Sequence, residues 1–468
     1  MADTSNTQPK VPHVMIVGAG VSGLLFAILL KRANIPFDIY ERAQTVKPLG
    51  AIMSLNVNIL PVFEQLGLYD DLMKISFTSP GMHVHNENLK EIGYRDNDGI
   101  KTMAGYDYIV FSRPQLYDLL LAQLDADKVH FGKKLVSIKN LLEGVEIHCA
   151  DNTSYSGDIL VGADGAYSAV RQSMYKELSE KNQLPFSDTQ GLQIGYITMV
   201  GTSDSLDEDK YAELKDDFTH FHFIIGKGKP YTWSTFTVPG KRICWGVQIQ
   251  LKATSAEDRE FKNTEWGPEG NEAMIKEVYD FPTTYGPLGQ LIDATPRERI
   301  SKVFLEEKMF ETWFSDRVVL IGDAAHKMLP SAGQGAVNAM QDAVILSNCL
   351  YDIANDATPK NIATAFKEYK DQRYPHVKFQ FDSSKLMAKV IFGQTWSERL
   401  LRRIVFGYLP KSMLHRDTIK AAAYRPQCTF LPLTPSRGTH PPLPQKPSKR
   451  YQEEQSQLNK TSTAAATA

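Results

Sequence analysis

An apolar run from Val14 to Leu30 is interrupted by Gly18, Gly20 and Gly23, and this combination limits the possible folds more than any other stretch of the chain. Without its glycines such a run would suit a membrane span. Here His13 to Gly18 reads as a short strand and Ser22 to Ala33 carries helical spacing of apolar residues. Pro36 to Tyr40 supplies a second strand that ends in Glu41-Arg42. The whole is a βαβ unit opened by GxGxxG. Gly18 permits a tight turn, Gly20 lets backbone approach a pyrophosphate, and Gly23 lets helix and strand pack closely. The phosphates meet the positive end of the helix dipole. Glu41 is placed to accept hydrogen bonds from a ribose diol, which favours an unphosphorylated adenosine ribose, as in FAD or NAD.

A length of 468 residues suggests two joined lobes rather than one core. The apolar fraction of 42% and charged fraction of 23% are those of a soluble globular protein, and a net charge of −2 argues against a nucleic-acid footprint. Cys149, Cys244, Cys349 and Cys428 lie far apart without a CxxC pair, which suits a reduced protein with no disulfide framework and no cysteine zinc site. The polar N-terminus lacks the apolar core of a signal peptide, so a cytoplasmic location is expected.

The expected fold is α/β: a Rossmann-like nucleotide lobe, an interleaved β-sheet substrate domain and C-terminal helices. The nucleotide lobe is expected in three pieces, 11–80, 106–185 and 301–355. Residues 81–105 form an excursion into the other lobe. Alternating strands mark the substrate domain over 186–300, where Ile243, Trp245, Val247, Ile249 and Leu251 form one face and Cys244, Gly246, Gln248 and Gln250 the other. Lys252–Glu272 reads as a surface excursion and Leu55–Leu68 as a helix. Ser112 and Gln115 read as a capping box, with Pro114 in the first turn. Residues 356–424 form the helical region. The proline-rich segment from Arg425 to the end reads as a disordered tail over 425–468.

Two further segments bear on chemistry. In Arg317-Val-Val-Leu-Ile-Gly-Asp-Ala-Ala-His326, a strand delivers Asp323 to a loop where its carboxylate suits a polyol hydroxyl such as a ribityl chain. Pro330-Ser-Ala-Gly-Gln-Gly-Ala336 follows, and Gly333 and Gly335 open a helix whose bare amides suit the N1–C2=O edge of a flavin. Val161-Gly-Ala-Asp164-Gly-Ala-Tyr-Ser-Ala-Val-Arg171 is the third stretch.

Together these segments resemble the group A flavoprotein monooxygenases, the para-hydroxybenzoate hydroxylase-like family. This chain matches the family's GDAAHxxxPxxGQGxxxxxxDA pattern through Ala343 and carries its "DG" stretch. The resemblance implies FAD contacts at Gly18, Gly20, Gly23, Glu41, Arg42, Gly50, Arg113, Asp164, Asp323, Pro330, Gly333, Gly335 and Ala336, with the DG stretch also serving NAD(P)H. It further implies a cycle in which NAD(P)H reduces FAD and the reduced flavin captures O₂ as a C4a-hydroperoxide. One oxygen atom then passes to an electron-rich carbon. The motif His326-Lys-Met-Leu-Pro330 is similar to a branch that includes epoxidases of isoprenoid secondary metabolites, so an apolar or aromatic small molecule is the expected substrate.

Arg113 supports this from physics: a cation in the first turn of a helix is disfavoured by the dipole unless a nearby anion such as a pyrophosphate holds it. The plainer reading is a surface arginine. His326 is read as a structural member of its loop. Tyr196 is assigned the catalytic, substrate-orienting role through its hydroxyl. Tyr231, Trp233, His220, His222, Asn56 and Asn58 are further substrate-side candidates, each also readable as packing. No metal is expected, since no His/carboxylate cluster appears at ligand spacing. Residues 386–410 mix apolar and basic side chains, which suits peripheral membrane contact or packing on the protein body.

Three rivals stand beside this reading. A flavin halogenase would show GWxWxIP, which Tyr231-Thr-Trp-Ser-Thr-Phe-Thr-Val-Pro239 does not match. An FAD-dependent isoprenoid reductase and a non-catalytic flavin-binding protein are the alternatives.

Overall fold

The computed structural model describes residues 11–45, 52–227, 230–251, 268–393, 395–407 and 419–466. The strand Val14–Val17 is buried at every position, as a strand covered on both faces must be. It pairs in parallel with Phe37–Glu41 on one side and Ile159–Gly162 on the other. Val129–Phe131 and Val318–Leu320 extend the sheet in parallel, and Phe314–Ser315 closes one edge antiparallel. The helix Val21–Arg32 connects the first two strands and buries Leu24, Leu25, Phe26 and Leu29 between this sheet and the helix Gly335–Ile353. Phe26 is fully buried, and truncating it to alanine should cost about 3–5 kcal/mol.

An eight-stranded sheet forms the second lobe, in the order His326–Lys327, Ser301–Met309, Gln193–Thr202, Arg242–Gln250, Tyr231–Val238, Phe221–Ile225, Gly81–Asn86, Glu91–Asp96. All its pairs are antiparallel except Gly81–Asn86 with Phe221–Ile225. One expected boundary moves: Ser301–Met309 pairs with Gln193–Thr202 and belongs to this sheet, not to the nucleotide lobe. Its apolar residues cannot show which sheet they join; only strand pairing decides that.

Other local readings also shift. The helix placed over Leu55–Leu68 shortens to Leu60–Gln65, because Ile52–Leu55 pairs with Ile109–Ser112 as a strand. The helix after Ser112 runs Arg113–Leu121, but the serine side chain makes no cap hydrogen bond. The expected helical region becomes Pro359–Phe392 and Trp396–Gly407. Of the surface excursion Lys252–Glu272, residues 252–267 lie outside the described residues.

The tail is where the expectation fails most clearly. Residues 425–448 lie packed on the nucleotide lobe, with Cys428 and Phe430 buried in its core, and Lys449–Ala466 is a helix. Prolines keep this strap out of any ladder, yet its backbone is satisfied by side chains elsewhere. Gln65 Nε2 donates to the Cys428 and Pro432 carbonyls, each at 3.0 Å, and Thr429 N–H donates to Asn348 Oδ1 at 3.0 Å. Composition registers the prolines but not these distant amides.

Candidate active site

At the turn after Val14–Val17, Gly18 has φ +106°, and a Cβ there would sit 2.5 Å from the Ala163 carbonyl oxygen. A Cβ on Gly23 would lie 2.1 Å from the Gly18 carbonyl oxygen, so helix and turn meet as closely as backbone allows. A Cβ on Gly20 would meet nothing within 4 Å, which leaves that face of the turn open. Glu41 closes the end of its strand. Its Oε2 accepts from Ala19 N–H at 2.8 Å and its Oε1 from Ala43 N–H at 2.9 Å. Each oxygen keeps a second lone pair for a ribose hydroxyl. Arg42 is exposed beside it, and Gly50 lies outside the described residues.

The loops after Ile159–Gly162 and Val318–Leu320 are bound to one another. Arg171, buried, donates from Nη1 to the Ala324 carbonyl at 2.8 Å and from Nη2 to the Ala166 carbonyl at 2.6 Å. Asp164 points inward: its Oδ2 accepts from Ala169 N–H at 2.7 Å and Val170 N–H at 3.2 Å, so it caps the helix Ala169–Glu180. Burial raises its pKa. Its Oδ1 is buried with no hydrogen-bond partner among the described residues. Asp323 is half-exposed and ion-paired with Lys327 at 2.5 Å.

Behind the Asp323 loop lies a buried charged network that the sequence did not reveal. Asp342, fully buried, accepts from Gly322 N–H at 2.8 Å, from His326 Nε2 at 2.6 Å and from Arg373 Nε at 2.8 Å. Arg373, also fully buried, reaches Gln341 Oε1 at 3.0 Å and Asn338 Oδ1 at 2.9 Å. Burial alone would raise the pKa of Asp342, but His326 and Arg373 hold it below the ordinary carboxylate value. His326 therefore fixes the loop. Arg373 lies far along the chain in the helix Pro359–Phe392, and no local pattern marks it as a partner of Asp342.

Pro330–Ala332 form a 3-10 turn capped by Gly333 at φ +64°, and the helix Gly335–Ile353 follows. Its N-cap, Gln334, makes no side-chain cap bond, so the amides of Gly335, Ala336 and Val337 have no partner within the helix. Ser54 Oγ and Tyr108 hydroxyl, themselves 2.6 Å apart, stand 3.0 and 3.1 Å from where a side chain on Gly333 would begin. Neither was singled out in the sequence. Arg113 is exposed at the start of its helix, with no hydrogen bond or ion pair among the described residues. An open glycine turn, an uncapped helix start and an unpartnered arginine fit FAD: the first and last suit its diphosphate and the second its electron-rich ring edge.

The substrate-side candidates divide by strand parity. Tyr196 lies on the sheet face that also carries Phe223, Ile225, Met82 and Leu305. Leu329 of the Asp323 loop and Ala388, Ile391 and Phe392 cover that face. The Tyr196 ring meets Phe392 edge-on at 5.4 Å, and burial, then Glu398 and Glu307, push its phenol pKa up to about 12. Gln248 shares this face and donates to Thr198 Oγ1 at 3.2 Å. Tyr231, Trp233 and His222 point the opposite way. There Tyr231 and Trp233 join Ile243, Trp245 and Val247 in a core sealed by Val278, Leu288 and Leu291. The polar, small-residue face of Arg242–Gln250 thus looks toward the nucleotide lobe, not the aromatic one. Asn58 is structural: its Nδ2 donates to the carbonyls of Ala421 at 2.6 Å and Tyr424 at 2.8 Å. Asn56 Oδ1 accepts from Asn58 N–H at 3.0 Å in a local turn.

One further clustering was not marked by spacing in the sequence. Glu213, His220 and His222 offer ligand atoms that all lie within 4.8 Å of one another. His222 is on the strand Phe221–Ile225 and His220 directly precedes it, their rings stacked at 6.5 Å, while Glu213 arrives from a separate 3-10 turn, Ala212–Lys215.

Comparison with known proteins agrees with the geometry. The pattern of the FAD binding domain family matches residues 12–195 and 289–383. The chain is 27% identical over 441 residues to the FAD-dependent monooxygenase prhF of Penicillium brasilianum, covering 91% of this chain and 88% of that protein. It is 29% identical over 342 residues to the aurachin C monooxygenase/isomerase of Stigmatella aurantiaca, covering 72% and 80% respectively. Klebsiella pneumoniae HpxO, solved with FAD and uric acid, shares the fold with a TM-score of 0.70 at 22% identity, over 88% of this chain and 97% of that one.

Proposed function

From the premise that this chain belongs to the FAD binding domain family of group A flavin monooxygenases, we propose that it uses NAD(P)H and O₂ to hydroxylate or epoxidise an apolar, aromatic or isoprenoid-like small molecule. As an FAD-dependent monooxygenase it leaves the difficult bond chemistry to its cofactor. When bound, FAD would supply the redox chemistry, in which two electrons from NAD(P)H let one atom of O₂ enter the substrate while the other leaves as water. The protein's own residues bind, orient and exclude water.

The observation that carries this reading is the sheet face holding Tyr196, Phe223 and Ile225, which adjoins Leu329 of the Asp323 loop. Aromatic and aliphatic side chains there suit a flat or branched hydrocarbon. Gln248, Thr198 and the Tyr196 hydroxyl supply the few polar contacts that fix orientation. Tyr196 stays protonated through the working pH range and so acts as a hydrogen-bond donor, not a base. The Gly335 helix amides would stabilise negative charge gained by the flavin on reduction. The uric acid found with HpxO is in keeping with a planar substrate.

Among the described residues no helix is long and apolar enough to cross a membrane. Trp396, Leu400 and Ile404, one turn apart, are exposed beside the cations of Arg399 and Arg403. We read this stripe as the peripheral membrane contact for a greasy substrate. Residues 394 and 408–410 of the expected stretch lie outside the described residues.

The test is NADPH and NADH oxidation by the FAD-loaded protein, with oxygen uptake followed alongside. A panel of aromatic and isoprenoid compounds should include at least one that speeds both and appears with one added oxygen. An alkene reduced without oxygen uptake would instead make the protein a reductase. Bound FAD with no nicotinamide oxidation under any substrate would make it a binding protein.

A further inference from the structure

The cluster on the outer face of the substrate sheet has no part in the proposed flavin chemistry, and it sets two imidazoles against one half-buried carboxylate. His85 Nδ1 lies 3.3 Å from the Leu89 carbonyl, which only accepts, so this nitrogen carries the proton. Its other nitrogen, Nε2, lies 3.2 Å from His222 Nδ1, which suits a donor there. His222 Nε2 faces both oxygens of Glu213, each at 3.1 Å. His222 is buried there and Glu213 half-buried. A positive charge between the two, a proton on the imidazole or a bound metal ion, satisfies both groups.

The remaining geometry is that of a ligand set. His220 Nδ1 approaches the same Glu213 Oε1 at 3.8 Å. Its other nitrogen, Nε2, is held by Asp216 Oδ2 at 2.8 Å. This is the carboxylate–histidine arrangement that orients metal-binding imidazoles. Tyr285 hydroxyl donates to Glu213 and fixes the carboxylate from the other side. Zinc ligands at about 2.0–2.1 Å in a tetrahedron stand roughly 3.3 Å from one another. The separations of 3.1 and 3.8 Å from Glu213 Oε1 bracket that value.

We propose that Glu213, His220 and His222 bind a divalent cation of the zinc type, with the fourth position open to water. Two imidazoles and one carboxylate favour Zn²⁺ or Cu²⁺ over Mg²⁺ and Ca²⁺, which take oxygen ligands. The ion would staple the turn Ala212–Lys215 to the strand Phe221–Ile225 across the outer core of the sheet. Its role is stability, because these side chains face away from the nucleotide lobe.

The test uses the FAD-loaded protein stripped with a chelator and returned to metal-free buffer. Titration with ZnCl₂ should show one ion bound per chain. At a hundredfold excess over Kd the thermal midpoint should rise by about 3 °C. MgCl₂ should leave the midpoint unchanged. Glu213→Gln and His220→Gln should each weaken zinc binding about tenfold or more, with flavin content as the control for folding. If either variant fails to hold flavin, Asp216→Asn, at an exposed carboxylate, carries the same test with a loss of about ten- to hundredfold. The proposal is overturned if the stripped protein shows no zinc-dependent shift. It is equally overturned if folded variants bind zinc as tightly as the parent.

Discussion

Arg171 and Ala324 are joined by a 2.8 Å hydrogen bond from guanidinium to carbonyl, although 153 residues separate them. The bond ties the loop carrying Asp164 to the loop carrying Asp323. Because Arg171 also donates to Ala166, its planar fork sets the spacing between two of the three segments that bound the proposed flavin site.

Arg171→Lys should therefore loosen flavin binding while leaving the fold intact. A lysine supplies one point donor where arginine supplies two in fixed geometry. We expect a loss of FAD affinity of about tenfold or more, read by fluorescence of released flavin. Unchanged affinity would mean the two loops hold their spacing without it.

Arg373→Met tests the buried pair with Asp342. Removing one member leaves a carboxylate with no exposure and one fewer partner, which should cost about 3–5 kcal/mol. Urea denaturation followed by flavin fluorescence and circular dichroism measures it. A cost under 1 kcal/mol would show that His326 alone is enough.

Asp323→Ala and Gly23→Val should both yield protein with little or no bound flavin, for different reasons. The first removes the carboxylate proposed for the ribityl chain. The second places a side chain 2.1 Å from the Gly18 carbonyl oxygen and prises apart the glycine turn. The absorption spectrum of the purified protein decides each case, and a normal yellow Asp323→Ala protein with full activity would remove that assignment.

His376 gives a pH signature. Stacked on Tyr424 at 3.5 Å, its pKa is held down to about 4 by burial and then by Arg373, against an ordinary 6.5. As the pH falls, the unfolded chain takes up this proton before the folded one. The contribution of His376 to stability is therefore complete above pH 6.5 and drains away as the pH falls toward 4. His376→Asn should flatten the stability profile within that window. Identical slopes in parent and variant would locate the acid sensitivity elsewhere.

How much of this was legible in the sequence follows from the range of the interactions involved. The glycine turn at Gly18 and the helix start at Gly335 are local, because the chemistry of a few consecutive residues specifies them. The roles of Arg373, Ser54 and Tyr108 were not legible, since each acts on a segment far along the chain and carries no mark of its partner. The packed tail was misread for the same reason: proline content is a local property, whereas the amides of Gln65 and Asn348 that satisfy its backbone are not.

The amino-acid order determined the glycine-turn βαβ unit, the three segments proposed to hold flavin and the two-faced strand Arg242–Gln250, because turn geometry and side-chain alternation are written residue by residue. Tertiary structure alone decided which face of that strand meets the nucleotide lobe. It sent Trp233 and His222 outward and Tyr196 and Gln248 inward, and it gathered Glu213 with His220 and His222. Alternation defines two faces of a strand but not what covers them, and that depends on helices and loops brought in from far along the chain.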